Sequence, residues 1–105
     1  MQLAFDSKEL RTTCESDAQA RLDLGDAVAE MLKHRLADMR AAKSPKDLVA
    51  GKPRTGADSQ HMVVDLSVGY TIVFKANHTT NPLTEAHDLD WSKVTRIKIL
   101  RIDHA

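Results

Sequence analysis

Apolar residues recur at helical spacing in the first half of the chain. Steps of three, one, four and three residues place side chains on one face of a helix. The residues with this spacing are Val28, Met31, Leu32, Leu36 and Met39. Asp26 lies just before them and is a suitable N-cap, because its side chain can accept a hydrogen bond from a free backbone N–H. The pattern predicts an amphipathic helix over residues 27–43, about 25 Å long.

A short strand and another helix are predicted upstream of this segment. Residues 2–5 form a brief apolar run that is typical of a strand. Asp6, with Glu9 three residues later, is a variant of the capping box and predicts a helix start. Gly25 predicts the end of this helix. One stripe of the helix is predicted from residues that recur every four positions, namely Leu10, Cys14, Ala18 and Leu22.

A third, shorter helical turn is predicted after residue 43. Ser44 is a suitable N-cap, and Pro45 is favoured at the first helical position because its missing N–H has no intrahelical partner there. The turn is predicted to continue through residue 50 and to stop at Gly51. Residues 52–60 are polar and contain both proline and glycine, which predicts a loop.

Strand-forming runs dominate the second half of the chain. Residues 61–66 and 70–76 are rich in β-branched and aromatic side chains and flank a short turn that contains Gly69, which predicts a hairpin. A polar loop is predicted over residues 77–90 and a last strand over residues 94–102.

The order of these elements predicts the fold class. Helices gather in the first half and strands in the second, a pattern typical of an α+β fold. We expect a small antiparallel-rich sheet with two main N-terminal helices packed on one face, and an open opposite face. Because 105 residues suffice for one hydrophobic core, we expect residues 1–105 to form a single domain.

Composition and charge narrow the possible functions. The 15 basic side chains balance the 15 acidic ones, whereas nucleic-acid binders usually carry a basic excess. An RNA-binding role would therefore depend on a local patch. Cys14 is the single cysteine, so no internal disulfide can form, and no apolar run approaches the roughly 20 residues that span a bilayer. We expect a cytoplasmic protein without a membrane partner or a cofactor.

Several segments carry, in order, the characteristics of one toxin family. The helix pattern "L-x-x-R-L-x-x-L-R-A-A" corresponds to residues 32–42, and the hairpin pattern with its central Tyr corresponds to residues 64–74. The most telling segment is Asp90-Trp91-Ser92-Lys93, followed by the apolar strand and by Asp103-His104. Asp47-Leu48 matches a short helix between them. On these segments the chain resembles the HigB-like killer toxins of the RelE/ParE toxin superfamily.

The resemblance implies a RelE-like fold and the toxin of a type II toxin–antitoxin system. It implies a metal-independent mRNA endoribonuclease, or mRNA interferase, that cleaves mRNA on the ribosome and inhibits translation. It also implies a HigA-like helix-turn-helix antitoxin as the partner, with operator DNA contacted only through that antitoxin.

The sequence departs from the family pattern in ways that leave an alternative open. Thr71 stands where an Arg commonly follows the hairpin Tyr, and the Tyr of a terminal "D-Y-H" is missing between Asp103 and His104. The loop before the hairpin lacks the usual "L-K-G", and the net charge is neutral. The alternative is therefore a catalytically weak or inactive toxin homologue that acts through protein–protein binding.

Metal-free RNA cleavage needs groups that transfer protons between the 2′-hydroxyl and the departing 5′-oxygen. By the resemblance, His104 matches the terminal family His and Tyr70 the hairpin Tyr, with Asp103 placed to orient His104. His61 opens the hairpin and is a second candidate base. Each residue also has a purely structural interpretation. In it, Tyr70 packs in the core, and His104, Asp103 and His61 are ordinary surface residues.

The same reaction needs cations to bind the phosphate and offset its developing charge. Arg54 lies in the polar loop before the hairpin, and Lys75 and Lys98 lie on strands that flank the open face. Each is a candidate substrate-binding residue, although most exposed basic side chains are simply solvated.

Five histidines raise the question of a metal site. No pair shows the helical i, i+4 spacing of a zinc site, and no Cys-x-x-Cys is present. We expect no metal.

Overall fold

The computed structural model describes residues 1–67 and 69–104. Its helices are α1 (Lys8–Glu15), α2 (Asp17–Leu24) and α3 (Asp26–Ala41), with single 3-10 turns at Pro45–Asp47 and Trp91–Lys93. Its strands are β1 (Gln2–Phe5), β2 (Arg54–Thr55), β3 (His61–Ser67), β4 (Tyr70–Ala76) and β5 (Arg96–His104).

The five strands form one mixed sheet in the order β1-β5-β4-β3-β2. β1 runs parallel to β5, and the other neighbouring pairs are antiparallel. The three helices lie on one face of this sheet, which confirms the predicted α+β fold with a helix-covered face and an open face.

The core lies between α3 and the helix-facing side of the sheet. Phe74 on β4 has no exposed surface, and the Trp91 ring meets it edge-on with a centroid distance of 6.2 Å. Strands β3 to β5 alternate buried and less buried positions, as expected for strands with one covered face. The largest fully buried non-aromatic contributors are Leu32, Leu36, Met39, Val64, Ile72, Val94, Ile97 and Ile99.

The predicted first helix is in fact two helices. Ser16 has an extended backbone, and its hydroxyl accepts a hydrogen bond from the Gln19 N–H, so that it caps a new helix, α2. The break rotates the stripe that four-residue spacing predicted. Leu10 and Cys14 pack against the core, but Ala18 is exposed and Leu22 is 82% exposed.

Several predicted boundaries also shift. The N-cap of α1 is Ser7 rather than Asp6, because the Ser7 hydroxyl accepts from the Leu10 N–H. Asp26 is the first residue of α3, and Gly25, with φ of 84°, takes the cap position. The helical turn after Ser44 stops at Asp47 rather than at residue 50.

The loop predicted over residues 52–60 contains the short strand β2. Arg54 pairs with Val63 and Thr55 with Met62 on β3. Two polar residues carry no alternating apolar pattern, so the sequence offered no signal for this strand. The hairpin was predicted correctly, and the last strand extends to His104.

We predict that truncating Phe74 will cost far more stability than truncating Leu22. Phe74→Ala leaves a cavity in a fully buried site, which typically costs about 3–5 kcal/mol. Leu22→Ala removes a side chain that is 82% exposed, so its effect should stay within about 0.5 kcal/mol. Urea unfolding of the two variants measures both values. A large loss for Leu22→Ala would mean that α1 and α2 form the continuous helix predicted from the sequence.

Candidate functional site

The open face of the sheet presents cross-strand rows of side chains. Directly paired residues on neighbouring strands share a face. One row runs across His61, Lys75 and Lys98, and the row two residues farther along the strands runs across Arg54, Val63, Val73 and Arg101. A third row consists of Asp65, Thr71 and Asp103. The face therefore mixes cations and carboxylates around an apolar middle.

A groove of about 390 Å³ lies on this face. Val63 and Val73 form its apolar floor, and the segment after β2 forms one wall. Its polar lining consists of Arg54, Asp58, His61, Thr71, Arg101 and Asp103. The groove is large enough to hold a small part of a ligand, and its rim offers both hydrogen-bond donors and acceptors.

A β-bulge on β5 brings Arg101 and Asp103 to this groove. Val73 pairs with Arg101, but the next residue, Phe74, pairs with Ile99, so Leu100 is an extra residue in the ladder. In a regular strand, Arg101 would share the buried face with Ile99, because side chains alternate. The extra residue reverses the alternation and places Arg101 on the open face.

Carboxylates pair with three of the basic side chains at the groove. The Arg54 Nη2 lies 3.0 Å from Asp65 Oδ1, and the His61 Nδ1 lies 3.3 Å from Asp58 Oδ2. The Arg101 Nε lies 3.0 Å from both Asp103 oxygens. All six side chains are at least one-third exposed, so each pair contributes at most about 1 kcal/mol to stability. Their main effect is to reduce the positive potential of the groove.

The two lysine candidates lie on the same face, in the row next to the groove floor. Lys75 and Lys98 are direct cross-strand partners, which places two like charges opposite each other. The Lys98 Nζ lies 3.9 Å from Asp6 Oδ1, and this contact partly offsets the repulsion.

Tyr70 and His104 lie on the helix-facing side of the sheet rather than in the groove. They are cross-strand partners, and Tyr70 packs against the core. Their rings stack with a centroid distance of 3.9 Å and an interplanar angle of 8°. His61 pairs with Lys75, five residues along β4 from Tyr70, and this spacing corresponds to roughly 17 Å. His61 and His104 therefore lie on opposite faces and far apart along the strands.

The structure thus brings together only some of the residues that the sequence suggested. Arg54, His61 and Asp103 line one groove. Asp103 bonds to Arg101 rather than to His104, since neighbouring residues of a strand point to opposite faces. Arg101, Asp58 and Asp65 were not predicted as site residues. Arg101 was hidden because no sequence pattern marks the bulge.

The helix side carries a second cavity, of about 550 Å³, between the first two helices and α3. Cys14 lines it together with Ala20, Ala29 and Leu32. Burial raises the pKa of the Cys14 thiol from 9.0 to about 11, although the nearby Arg40 opposes the shift. The thiol is therefore protonated at neutral pH.

Within residues 1–67 and 69–104, no three His, Cys, Asp or Glu side chains lie close enough to hold a metal ion. No helix in the same ranges has the length and apolar character needed to cross a membrane.

Comparison with known proteins bears on the fold alone. No model of a known protein family matches the sequence, and no curated protein matches it. The solved structure of a YoeB/ParE toxin from Agrobacterium tumefaciens is similar, with a TM-score of 0.62 and 8% sequence identity. The match covers 100% of this chain and 99% of the toxin chain. The chain therefore shares the α+β fold of that toxin over its whole length.

We predict that the Cys14 thiol will react slowly with a disulfide reagent such as Ellman's reagent at pH 8 and quickly after unfolding in urea. Since the folded-state pKa is raised to about 11, the folded protein holds the thiol proton more tightly than the unfolded chain does. This contribution to stability is complete below pH 9 and is lost as the pH rises from 9 to 11. The difference in stability between wild type and Cys14→Ala should shrink over that range. The prediction would be contradicted if Cys14 in the native protein reacted with the reagent as fast as it does in the unfolded chain.

Proposed function

We propose that the chain is the toxin of a type II toxin–antitoxin pair and acts as an mRNA endoribonuclease on the translating ribosome. The observation that carries the proposal is the groove on the open face, where Arg54, His61 and Arg101 surround an apolar floor. The fold shared with a YoeB/ParE toxin supports the toxin assignment, and so does the resemblance of the Asp90–Lys93 segment to HigB-like toxins.

The proposed reaction is attack of a ribose 2′-hydroxyl on the adjacent phosphate, which forms a 2′,3′-cyclic phosphate and breaks the bond from phosphorus to the 5′-oxygen. The departing 5′-oxygen takes a proton from water. His61 takes the 2′ proton, and its pairing with Asp58 suits that role. The carboxylate next to Nδ1 favours the tautomer that carries its proton there, which leaves Nε2 free to accept another. A guanidinium group of the groove rim, that of Arg54 or that of Arg101, binds the phosphate oxygens, for which such groups are well matched.

His104 and Tyr70 are proposed to contact RNA rather than to transfer protons at the phosphate. They face away from the groove, so they do not share a phosphate with His61. His104 is exposed and stacks on Tyr70 at the end of the central strands. Such a flat surface suits contact with a nucleobase of RNA that continues past the sheet.

A HigA-like helix-turn-helix antitoxin is the proposed partner, and the proposed site of action is the cytoplasm. In this proposal the antitoxin holds the toxin inactive, and operator DNA is contacted only through the antitoxin. Lys75 and Lys98 are cross-strand partners in the row beside the groove and are proposed to contact flanking phosphates.

The second candidate function is that of an inactive toxin homologue that only binds a partner protein. Two observations favour it. Thr71 replaces the Arg that the resemblance implies, and carboxylates already pair with the cations at the groove. A surface of alternating charge suits a protein partner of complementary pattern better than a uniformly anionic backbone.

We predict that inducing the chain alone in bacteria will arrest growth and cleave mRNA on translating ribosomes, and that His61→Ala will abolish both effects. Loss of a proton-transfer group typically lowers the rate about 100- to 10,000-fold. Primer extension on a translated reporter mRNA measures the cleavage.

His34→Ala is the matched control for this variant. His34 is an exposed histidine on α3, 3.6 Å from Glu30, so the substitution removes a similar His–carboxylate pair far from the groove. It should leave growth arrest unchanged. Soluble wild-type protein that neither arrests growth nor cleaves mRNA, yet binds the antitoxin, would favour the second candidate function.

A further inference from the structure

The two arginines of the groove differ in which guanidinium nitrogens already donate hydrogen bonds. The Arg54 Nη1 donates to the backbone carbonyl of Lys52 at 2.9 Å, and its Nη2 donates to Asp65 at 3.0 Å. A phosphate bound in bidentate fashion needs two nitrogens of one edge. Each of these nitrogens carries two hydrogens, so a phosphate at the Nη1–Nη2 edge of Arg54 would share both nitrogens with acceptors that they already bind.

Arg101 has the opposite arrangement. Its Nε donates to both oxygens of Asp103, each at 3.0 Å. Across the described ranges, neither its Nη1 nor its Nη2 donates a hydrogen bond. Asp103 therefore fixes the inner part of the guanidinium group and leaves the terminal nitrogens available to a ligand in the groove.

Arg101 lies close to a position where the resemblance implies an arginine. The resemblance implies an Arg at position 71, where this chain has Thr71. Thr71 on β4 pairs with Asp103 on β5. Arg101 lies two residues before Asp103 on β5, and its side chain is on the same open face as Thr71 and Asp103. A diagonal cross-strand neighbour lies about 7–8 Å away, which is within reach of an arginine side chain.

We propose that Arg101 is the phosphate-binding residue of the groove and that Asp103 is its positioning residue. The RNA part of this proposal rests on the proposed function, whereas the oxyanion site itself does not. The bulge at Leu100 places both side chains on the open face. Arg54, by contrast, mainly ties the segment before β2 to β3 through Lys52 and Asp65.

The direction in which Asp103→Asn changes phosphate affinity shows whether Asp103 positions Arg101 or competes with phosphate for it. If Asp103 only competed with phosphate for Arg101, Asp103→Asn would strengthen binding. If Asp103 aims the guanidinium group, Asp103→Asn will weaken binding and Asp103→Glu will restore it, because a carboxylate again meets Nε. A merely structural role would not give this pattern of loss and rescue.

The first experiment follows the side-chain N–H signals of the arginines by NMR while inorganic phosphate is added to the wild-type protein. We expect the Arg101 signals to shift saturably, with the Arg54 and Arg11 signals unchanged. In Asp103→Asn the apparent phosphate affinity should fall about 3- to 10-fold, and in Asp103→Glu it should return to within about 2-fold of wild type. Three results would each overturn the proposal. The first is saturable shifts at Arg54 alone, the second is no saturation at Arg101, which would mean an adventitious ion only, and the third is tighter phosphate binding by Asp103→Asn.

The second experiment measures ribosome-dependent mRNA cleavage by the same variants. Removing one preorganised donor to the reacting phosphate typically costs about 100- to 1,000-fold in rate, and we expect Arg101→Ala to fall in this range. Arg11→Ala is the matched control, because Arg11 forms an equally exposed pair with Glu15 on α1, and it should retain full cleavage.

The two experiments separate failure of this proposal from failure of the proposed function. Cleavage by the wild type that Arg101→Ala leaves intact would overturn the role of Arg101 and keep the endoribonuclease. If the wild type does not cleave mRNA, the proposed function fails, and the phosphate titration still decides whether Arg101 forms an oxyanion site. Circular dichroism of Arg101→Ala excludes misfolding as the cause of any loss.

Discussion

The pairing of β4 with β5 is the constraint on which both faces of the molecule depend. These strands lie in the middle of the sheet, and their register includes one extra residue at Leu100. Before the bulge, Ile97 and Ile99 face the helices; after it, Ile102 takes over that role. A hydrophobic core therefore continues along the whole strand while Arg101 and Asp103 are turned outward. The extra residue Leu100 thus keeps Ile102 in the core on one face of the sheet and places Arg101 in the groove on the other.

The open face is not a simple cationic surface. Arg54 is paired with a carboxylate of the neighbouring strand β3, His61 with one of the segment after β2, and Arg101 with Asp103 of its own strand. This balance agrees with the formal net charge of zero, and it limits how strongly the face attracts a polyanion at long range. Recognition at such a surface depends on which individual donors remain unoccupied. Arg54 and Arg101 differ in this respect, because both terminal nitrogens of Arg54 already donate hydrogen bonds and those of Arg101 do not.

Sequence reasoning predicted the architecture well because the architecture follows from apolar periodicity. The face of α3 was predicted from local spacing, and β3 and β4 were predicted from runs rich in β-branched and aromatic side chains; these elements appear in the structure. Predictions failed where one side-chain hydrogen bond or one inserted residue decides the outcome. Ser16 ends a helix that four-residue spacing would continue, and the bulge reverses the exposure of Arg101. The groove could be predicted only in part, since the partners of Arg54 and His61 depend on strand register.

The parallel pairing of β1 with β5 joins residues 2–5 to residues 96–99, so each paired residue lies 94 positions from its partner along the chain. The hydrogen bonds within each helix and within the β3–β4 hairpin join residues close in sequence, but this edge of the sheet must wait until distant parts of the chain meet. Such distant contacts slow folding, because chain entropy is lost before the contact is gained. During synthesis, the first strand remains without its partner until the last strand has been made. A chain still being translated therefore lacks a complete sheet and, with it, the surface that carries Arg101.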